Sequence, residues 1–371
     1  MKKILLLSTM FILIASTFSM AQKRVLVEKF TSAKCGNCPD GTAKLTTITG
    51  NEPNVIWVTH HAGFIVDALL FPEIDTIAST FTFGAPTATI DRIKFSGQQD
   101  VAVGTSLWQS NISSQLTQTA DVDVTVDGNF DATSRVANID VNAIFSSAST
   151  AQGEYRINVF VVEDSVVGSG SGYNQANYFN STAGHPFQGL GNPIVNYPHR
   201  HVVRDVISTA WGMGGIIPNT TMANTTYTAN FSYQIPMDYD LSKVRFVAFV
   251  TDFSQGVDQR NVLNANQEDL SNFGMIISNT AKQIPFVQAL SIQPNPATTF
   301  VNLKVESSEN QQVEILISNV SGQTILTKEN VNLQTGTNIY PLPVDQLANG
   351  LYFITMKKGK YLTTQKLFIN K

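Results

Sequence analysis

Only two cysteines occur in the 371 residues, Cys35 and Cys38, and they stand three positions apart. An apolar run, Val25 to Phe30, precedes them, and a segment from about Pro39 to Ile48 that can be helical follows. Strand, Cys-x-x-Cys, helix is the order in which a helix N-terminus can stabilise a thiolate. A disulfide between two such cysteines closes a very small loop, so it removes little entropy from the unfolded chain and is a poor staple. The residues leave three readings: a redox pair, an inert disulfide, and a metal site completed by His60 and His61. The last is disfavoured, because adjacent histidines seldom both reach one ion.

The N-terminus bears on that choice. Lys2 and Lys3 precede an apolar stretch, Ile4 to Ile14, and Ser19-Met20-Ala21 has the small-x-small form of a cleavage site. Residues 1–21 therefore read as a signal peptide, with the mature chain starting at Gln22. The apolar core is shorter than a bilayer span, and no later stretch is apolar enough to cross as a helix. No cysteine follows the cleavage position, so a lipoprotein is not indicated. An exported cysteine pair sits where disulfides persist. The net charge is -4 with no basic patch, which excludes nucleic acid as an expected partner. Hydrophobic residues at 43% against 14% charged mark a folded chain, and its length requires more than one domain.

Residues 22–120 alternate strand and helix. Val25–Phe30 reads as a buried strand and Asn54–Thr59 as a second. Phe71–Thr80 is a helix with Pro72 in its first turn. A strand follows Phe83-Gly84-Ala85-Pro86, and Ser106–Gln118 offers Leu107, Trp108, Ile112 and Leu116 as one apolar face. The β-α-β-α-β-α order argues for an α/β sheet with helices packed on it. Val-Leu-Val-Glu…Cys-Gly-Asn-Cys-Pro with Gly84-Ala85-Pro86-Thr87 some fifty residues on resembles the thioredoxin fold. The resemblance implies that Cys35 is the nucleophile, Cys38 the resolving thiol and Pro86 a cis-proline beside them. Glu28 falls near the family's buried acid, the proton acceptor for the resolving thiol, but one residue further from the first cysteine. Lys34 stands where the family usually has an aromatic residue, and its charge would favour a Cys35 thiolate.

Residues 121–284 read as an all-β sandwich. Asp121–Val126 and Ala137–Phe145 alternate at period two, Tyr155–Val162 and Val244–Val250 are apolar on both faces, and Tyr227–Ile235 adds a further strand. An irregular insert, 168–223, interrupts them and is rich in Gly, Asn, Pro and aromatics. Loops this long are commonly functional. We expect the insert to pack over the first domain or to form a binding surface. His199 and His201 are binding candidates within it, although a hydrogen-bonded structural pair is the commoner role for such histidines. Cys-x-x-Cys followed by Tyr-x-His-x-His-Val-x-Arg and Trp-Gly is similar to the outer-membrane-protein-28-related family over about 22–280. That resemblance implies a surface or outer-membrane location rather than a defined activity.

Pro285 marks a linker, and residues 285–371 carry short alternating strands with turn signals at Ser321-Gly322, Asn349-Gly350 and Gly359. About seven strands in this length imply a small immunoglobulin-like sandwich. Ser291-Ile-Gln-Pro-Asn-Pro-Ala, Leu347-Ala-Asn-Gly-Leu-Tyr-Phe-Ile and the terminal Gln365-Lys-Leu-Phe-Ile-Asn-Lys resemble the type A sorting domain of type IX secretion. The resemblance implies recognition by that secretion machinery, with Pro294, Asn295, Gly350 and Lys366 as recognition or turn residues.

No phosphate loop, Ser-His-Asp order, metalloprotease signature or paired carboxylates occur, so no cofactor is expected. Two functions remain. One is a surface thiol–disulfide oxidoreductase, in which Cys35 attacks a disulfide of an extracellular protein and Cys38 resolves the intermediate. The other is a non-catalytic surface binding protein or adhesin with an inert disulfide.

Overall fold

The computed structural model describes residues 21–62, 65–82, 84–276, 284–319, 324–359 and 361–371. The signal peptide, apart from Ala21, and the Ser321-Gly322 turn lie outside them. Two compact units divide the chain near residue 276. No helix among the described residues is long and apolar enough to cross a membrane.

The first unit opens with β1 (Val25–Thr31), α1 (Cys38–Asn51), β2 (Val55–His61), α2 (Pro72–Phe81), β3 (Thr87–Ile90), the short β4 (Val103–Gly104) and α3 (Trp108–Leu116). β1 pairs parallel with β2 and antiparallel with β3. Side chains alternate faces along a strand, and β1 is buried on both. Val25 and Val27 join Leu45, Trp57, Trp108 and Ile112 on the side of α1 and α3. Leu26 and Phe30 join Ile74, Ile77 and Phe81 on the side of α2.

The unit continues with β5 (Val122–Asp131), β6 (Val136–Phe145), β7 (Glu154–Glu163), β8 (Val202–Val206), β9 (Thr226–Gln234), β10 (Val244–Phe253), β11 (Arg260–Asp269) and β12 (Gly274–Ile276). The boundary expected near residue 120 does not interrupt the main sheet, which has eight strands in the order β11-β10-β7-β8-β2-β1-β3-β4. The reason is β8, a strand inside the insert that the alternation patterns did not reveal. It lies between β2 and β7 and joins the early strands to the later ones. A second sheet, β12-β5-β6-β9, covers one face of β7 and β10. Tyr155, Ile157, Val159 and Val161 of β7 face that sheet, whereas Phe160 and Val162 face the α2 core. This double burial accounts for the apolar character of both faces of β7 and β10.

The second unit holds β13 (Val287–Gln293), β14 (Phe300–Ser307), β15 (Gln311–Asn319), β16 (Thr324–Leu333), β17 (Gly336–Pro343), β18 (Gly350–Lys358) and β19 (Tyr361–Ile369). Sheets β13-β14-β17 and β16-β15-β18-β19 enclose one core that includes Val301, Leu303, Ile315, Ile317, Ile354 and Leu367. The architecture is therefore an N-terminal α/β region followed by all-β sandwiches.

Candidate functional site

The chain leaves β1 at Thr31 and enters α1 at Cys38 through a tight loop. Cys35 N–H donates to the Ser32 carbonyl and Cys38 N–H to the Cys35 carbonyl, at 3.1 and 3.2 Å. Cys35 and Cys38 are joined as a disulfide, with Cα atoms 5.4 Å apart. Pro39 occupies the first turn of α1, where its missing N–H costs nothing. The Ala85–Pro86 peptide is cis, and Cys35 Sγ lies 3.7 Å from the Ala85 carbonyl oxygen. Gly41 lets the helix close on this turn: a Cβ there would stand 3.2 Å from Pro86 Cβ and 3.0 Å from the Trp108 ring.

The insert lies over the loop. Ala176 N–H donates to the Ala33 carbonyl at 2.7 Å, and Tyr178 N–H to the Gly36 carbonyl at 2.9 Å. Gln175 Nε2 reaches the Cys35 carbonyl at 2.9 Å. The Tyr178 ring rests on Gly36, in space that a Cβ would need. Beneath this cover Cys35 is 6% and Cys38 1% exposed. The Tyr197-x-His199-x-His201 motif fixes the insert from behind. His199 meets the Tyr173 carbonyl through Nε2 at 2.8 Å, and its ring abuts those of His61 and Tyr197. The His201 ring lies 4.5 Å from that of Trp57. Burial depresses both histidines, His199 to about 3 and His201 to about 4, so they sit as neutral internal struts.

The structure does not bring Glu28 to the cysteines. Its side chain is on the α2 face of β1, where Arg92 Nε and Nη2 donate to its two oxygens at 2.6 and 2.8 Å. His60 and Thr89 complete its shell at 3.1 Å each. Burial alone would raise this carboxyl, but the Arg92 charge and hydrogen bonds, with those of His60, hold it well below the usual range. His60 and His61 point to different partners, Glu28 and Asp67, as successive residues of a strand must. Asp67 also receives the Ala33 N–H at 2.6 Å, which anchors the start of the cysteine loop.

The ionisable group on the α1 face is Lys29, which sequence reasoning passed over. It is 2% exposed, and its Nζ donates to Thr42 Oγ1 at 2.6 Å. Thr42 lies one turn below Cys38, whose carbonyl its hydroxyl approaches at 3.5 Å. Burial lowers Lys29 to about 7. A lysine within the apolar run Val25–Phe30 was the available signal, because unpaired lysines are rarely buried.

In the second unit the three C-terminal motifs meet. Asn295 Nδ2 donates to the Lys366 carbonyl at 2.9 Å, and its Oδ1 accepts the Phe368 N–H at 2.8 Å. Both flanking bonds, Gln293–Pro294 and Asn295–Pro296, are cis. Gly350 starts β18 opposite Ile369, with φ of 152°. Lys371 N–H reaches Asn349 Oδ1 at 2.9 Å, and its Nζ the Leu347 carbonyl at 2.6 Å.

These features define an exported surface protein with a thioredoxin-like fold, a buried Cys35–Cys38 disulfide and a C-terminal sorting domain. Residues 75–272 match the family model described as outer membrane protein Omp28, and the chain belongs to that family. Residues 291–370 match the secretion system C-terminal sorting domain. Together the matches place the protein at the outer membrane or cell surface, delivered through type IX secretion. Among solved structures, HBP35 of Porphyromonas gingivalis is similar with a TM-score of 0.55 at 18% identity, covering 94% of this chain and 99% of that one. That likeness concerns the fold. Dimeric latent PorU from the same organism aligns at a TM-score of 0.20 and 10% identity, over 67% of this chain and 20% of that one. No curated protein sequence matches the chain.

Proposed function

We propose that the protein is a cell-surface thiol–disulfide exchange protein acting on other extracellular proteins. The observation that carries this reading is the position of the disulfide. It opens α1, with the Cys35 sulfur against the Ala85–Pro86 turn, and it spans too short a loop to stabilise the fold by chain entropy. Because the pair is closed, the first half-reaction is oxidation of a substrate dithiol. A substrate thiolate attacks Cys35 Sγ, the Cys35–Cys38 bond breaks, and its electron pair leaves on Cys38 Sγ. The second substrate thiol then displaces Cys35 as a thiolate. The substrate gains a disulfide and the Cys35–Cys38 pair is reduced. Access requires residues 175–178 to lift from the loop.

The cover supports a second reading. With Tyr178 and Gln175 in place the disulfide is inert, and the thioredoxin-like region is a scaffold for binding. Trapping separates the two. Mature Cys38→Ser protein incubated with oxidised surface extract forms mixed disulfides through Cys35 under the exchange reading, and Cys35→Ser forms none. Equal, background-level adducts in both variants favour the scaffold.

A further inference from the structure

We infer that the free edge of β9 is a homodimer surface, on which β9 of one copy pairs antiparallel with β9 of a second copy about a two-fold axis centred on Asn230. β9 ends its sheet. Among the described strands it pairs with β6 alone, over Thr226–Gln234 and without a bulge. Such an edge offers a row of backbone donors and acceptors to any further strand, and chains blunt it with charge, proline, bulges or shortness. The other sheet edges are blunted in these ways. β4 and β12 are two and three residues long. β11, β16 and β19 carry charged residues, β17 carries two prolines, and β13 is broken by a bulge. β9, Thr-Tyr-Thr-Ala-Asn-Phe-Ser-Tyr-Gln, has neither charge nor proline.

The strand's own order of residues selects a second copy as the occupant. About Asn230 the sequence is self-complementary: Tyr227 is matched by Tyr233, Thr228 by Ser232 and Ala229 by Phe231. Antiparallel pairing about that centre sets each residue opposite its match, on the same face of the joined sheet. Ala229 is buried, and Tyr227, Phe231 and Tyr233 are half-buried against the core beneath this sheet, with no strand among the described residues beyond β9 to complete their cover. A second β9 places Phe231 beside the partner's Ala229 and Tyr227 beside the partner's Tyr233. Large meets small and aromatic meets aromatic, and such cross-strand pairs stabilise a sheet. On the outer face Thr228 meets Ser232 and Asn230 meets its own counterpart, all of them uncharged. Asp140 of β6, the carboxylate opposite Asn230, accepts from Asn230 Nδ2 at 2.6 Å, so it is already engaged within its own copy. The interface is isologous, and it closes as a dimer without growing into a fibre. Main-chain hydrogen bonds supply its affinity, and the matched side chains its register.

The test is the oligomeric state of the mature full chain. Sedimentation velocity over a concentration series is expected to show a monomer–dimer equilibrium. Asn230→Lys sets two ammonium groups opposite each other on the axis, yet leaves each beside its own Asp140. The variant is expected to keep its fold by circular dichroism while its dimer dissociation constant rises by about tenfold or more. Register is read by cross-linking in a background with Cys35 and Cys38 both changed to Ser. Asn230→Cys is expected to form an intermolecular disulfide under mild oxidation, because directly opposed residues of an antiparallel pair stand within disulfide range. Ser232→Cys is expected to form none, because its match in the other copy is Thr228. A chain that stays monomeric at every concentration, a dimer that folded Asn230→Lys leaves as tight, or equal cross-linking of the two cysteine variants overturns the inference.

Discussion

Glu28 and Lys29 are neighbours on one strand and serve opposite sides of it: the Glu28 carboxylate is clasped by Arg92 at 2.6 Å, and the Lys29 amine rests on Thr42 at 2.6 Å. One side is an ion pair sealed within the α2 core. The other is an uncompensated base below the cysteine helix. Different consequences follow from removing each.

Lys29 destabilises the folded state as pH falls. Its folded value of about 7 lies below the ordinary 10.5. The unfolded chain therefore takes up the proton first, and stability is lost as pH drops from about 10 toward 7, then levels off. Lys29→Met is expected to raise stability at neutral pH by roughly 2 kcal/mol or more and to flatten this slope. Urea unfolding across that range measures it. A less stable methionine variant with the slope intact would contradict the assignment.

The Glu28–Arg92 pair behaves in the opposite way. Both side chains are about 1% exposed, so removing one partner leaves a buried, unpaired charge. Arg92→Met is expected to cost about 3–5 kcal/mol. Chemical denaturation of the variant beside the wild type checks this, and an unchanged midpoint would contradict it.

Tyr178 tests the cover. Its N–H holds the Gly36 carbonyl at 2.9 Å and its ring rests on that residue. Tyr178→Ala keeps the backbone bond and uncovers the loop. Its disulfide is expected to be reduced by dithiothreitol severalfold faster than in the wild type, with the melting temperature changed by no more than a few degrees. Equal rates would mean that the ring does not control access.

How much of this was legible beforehand depended on whether a local pattern existed. β1, β2 and the three helices followed from apolar periodicity and from prolines in first helical turns, and the cis-proline at Pro86 from the resemblance to the thioredoxin fold. β8 was not legible because Val202 and Val203 lie among Tyr, Pro, His and Arg, and only pairing with β2 and β7 makes them a strand. The expectation that the insert packs over the first domain or forms a binding surface could be framed from its length and aromatic content. That residues 175–178 form the contact could not, since those bonds span about 140 positions. The burial of Lys29 was missed for a simpler reason: Glu28 matched the family's acid by residue type, while the alternation of β1 turns Lys29 to the side of α1 and Glu28 to the side of α2.

Asn295 gathers the C-terminal motifs by bonding both Lys366 and Phe368. Asn295→Ala removes two partly solvated bonds and is expected to cost about 1 kcal/mol. We also expect less protein at the cell surface and more retained inside. Surface labelling against whole-cell content reads this, and undiminished display would separate Asn295 from sorting.

The most direct measurement of the central claim mixes oxidised mature protein with a stoichiometric reduced dithiol peptide near neutral pH and follows both by mass. Exchange predicts that the peptide becomes disulfide-bonded as Cys35 and Cys38 appear as thiols, and that Cys35→Ser yields neither product. A Cys35–Cys38 bond that survives in the folded protein, and opens only when denaturant is added, would contradict it.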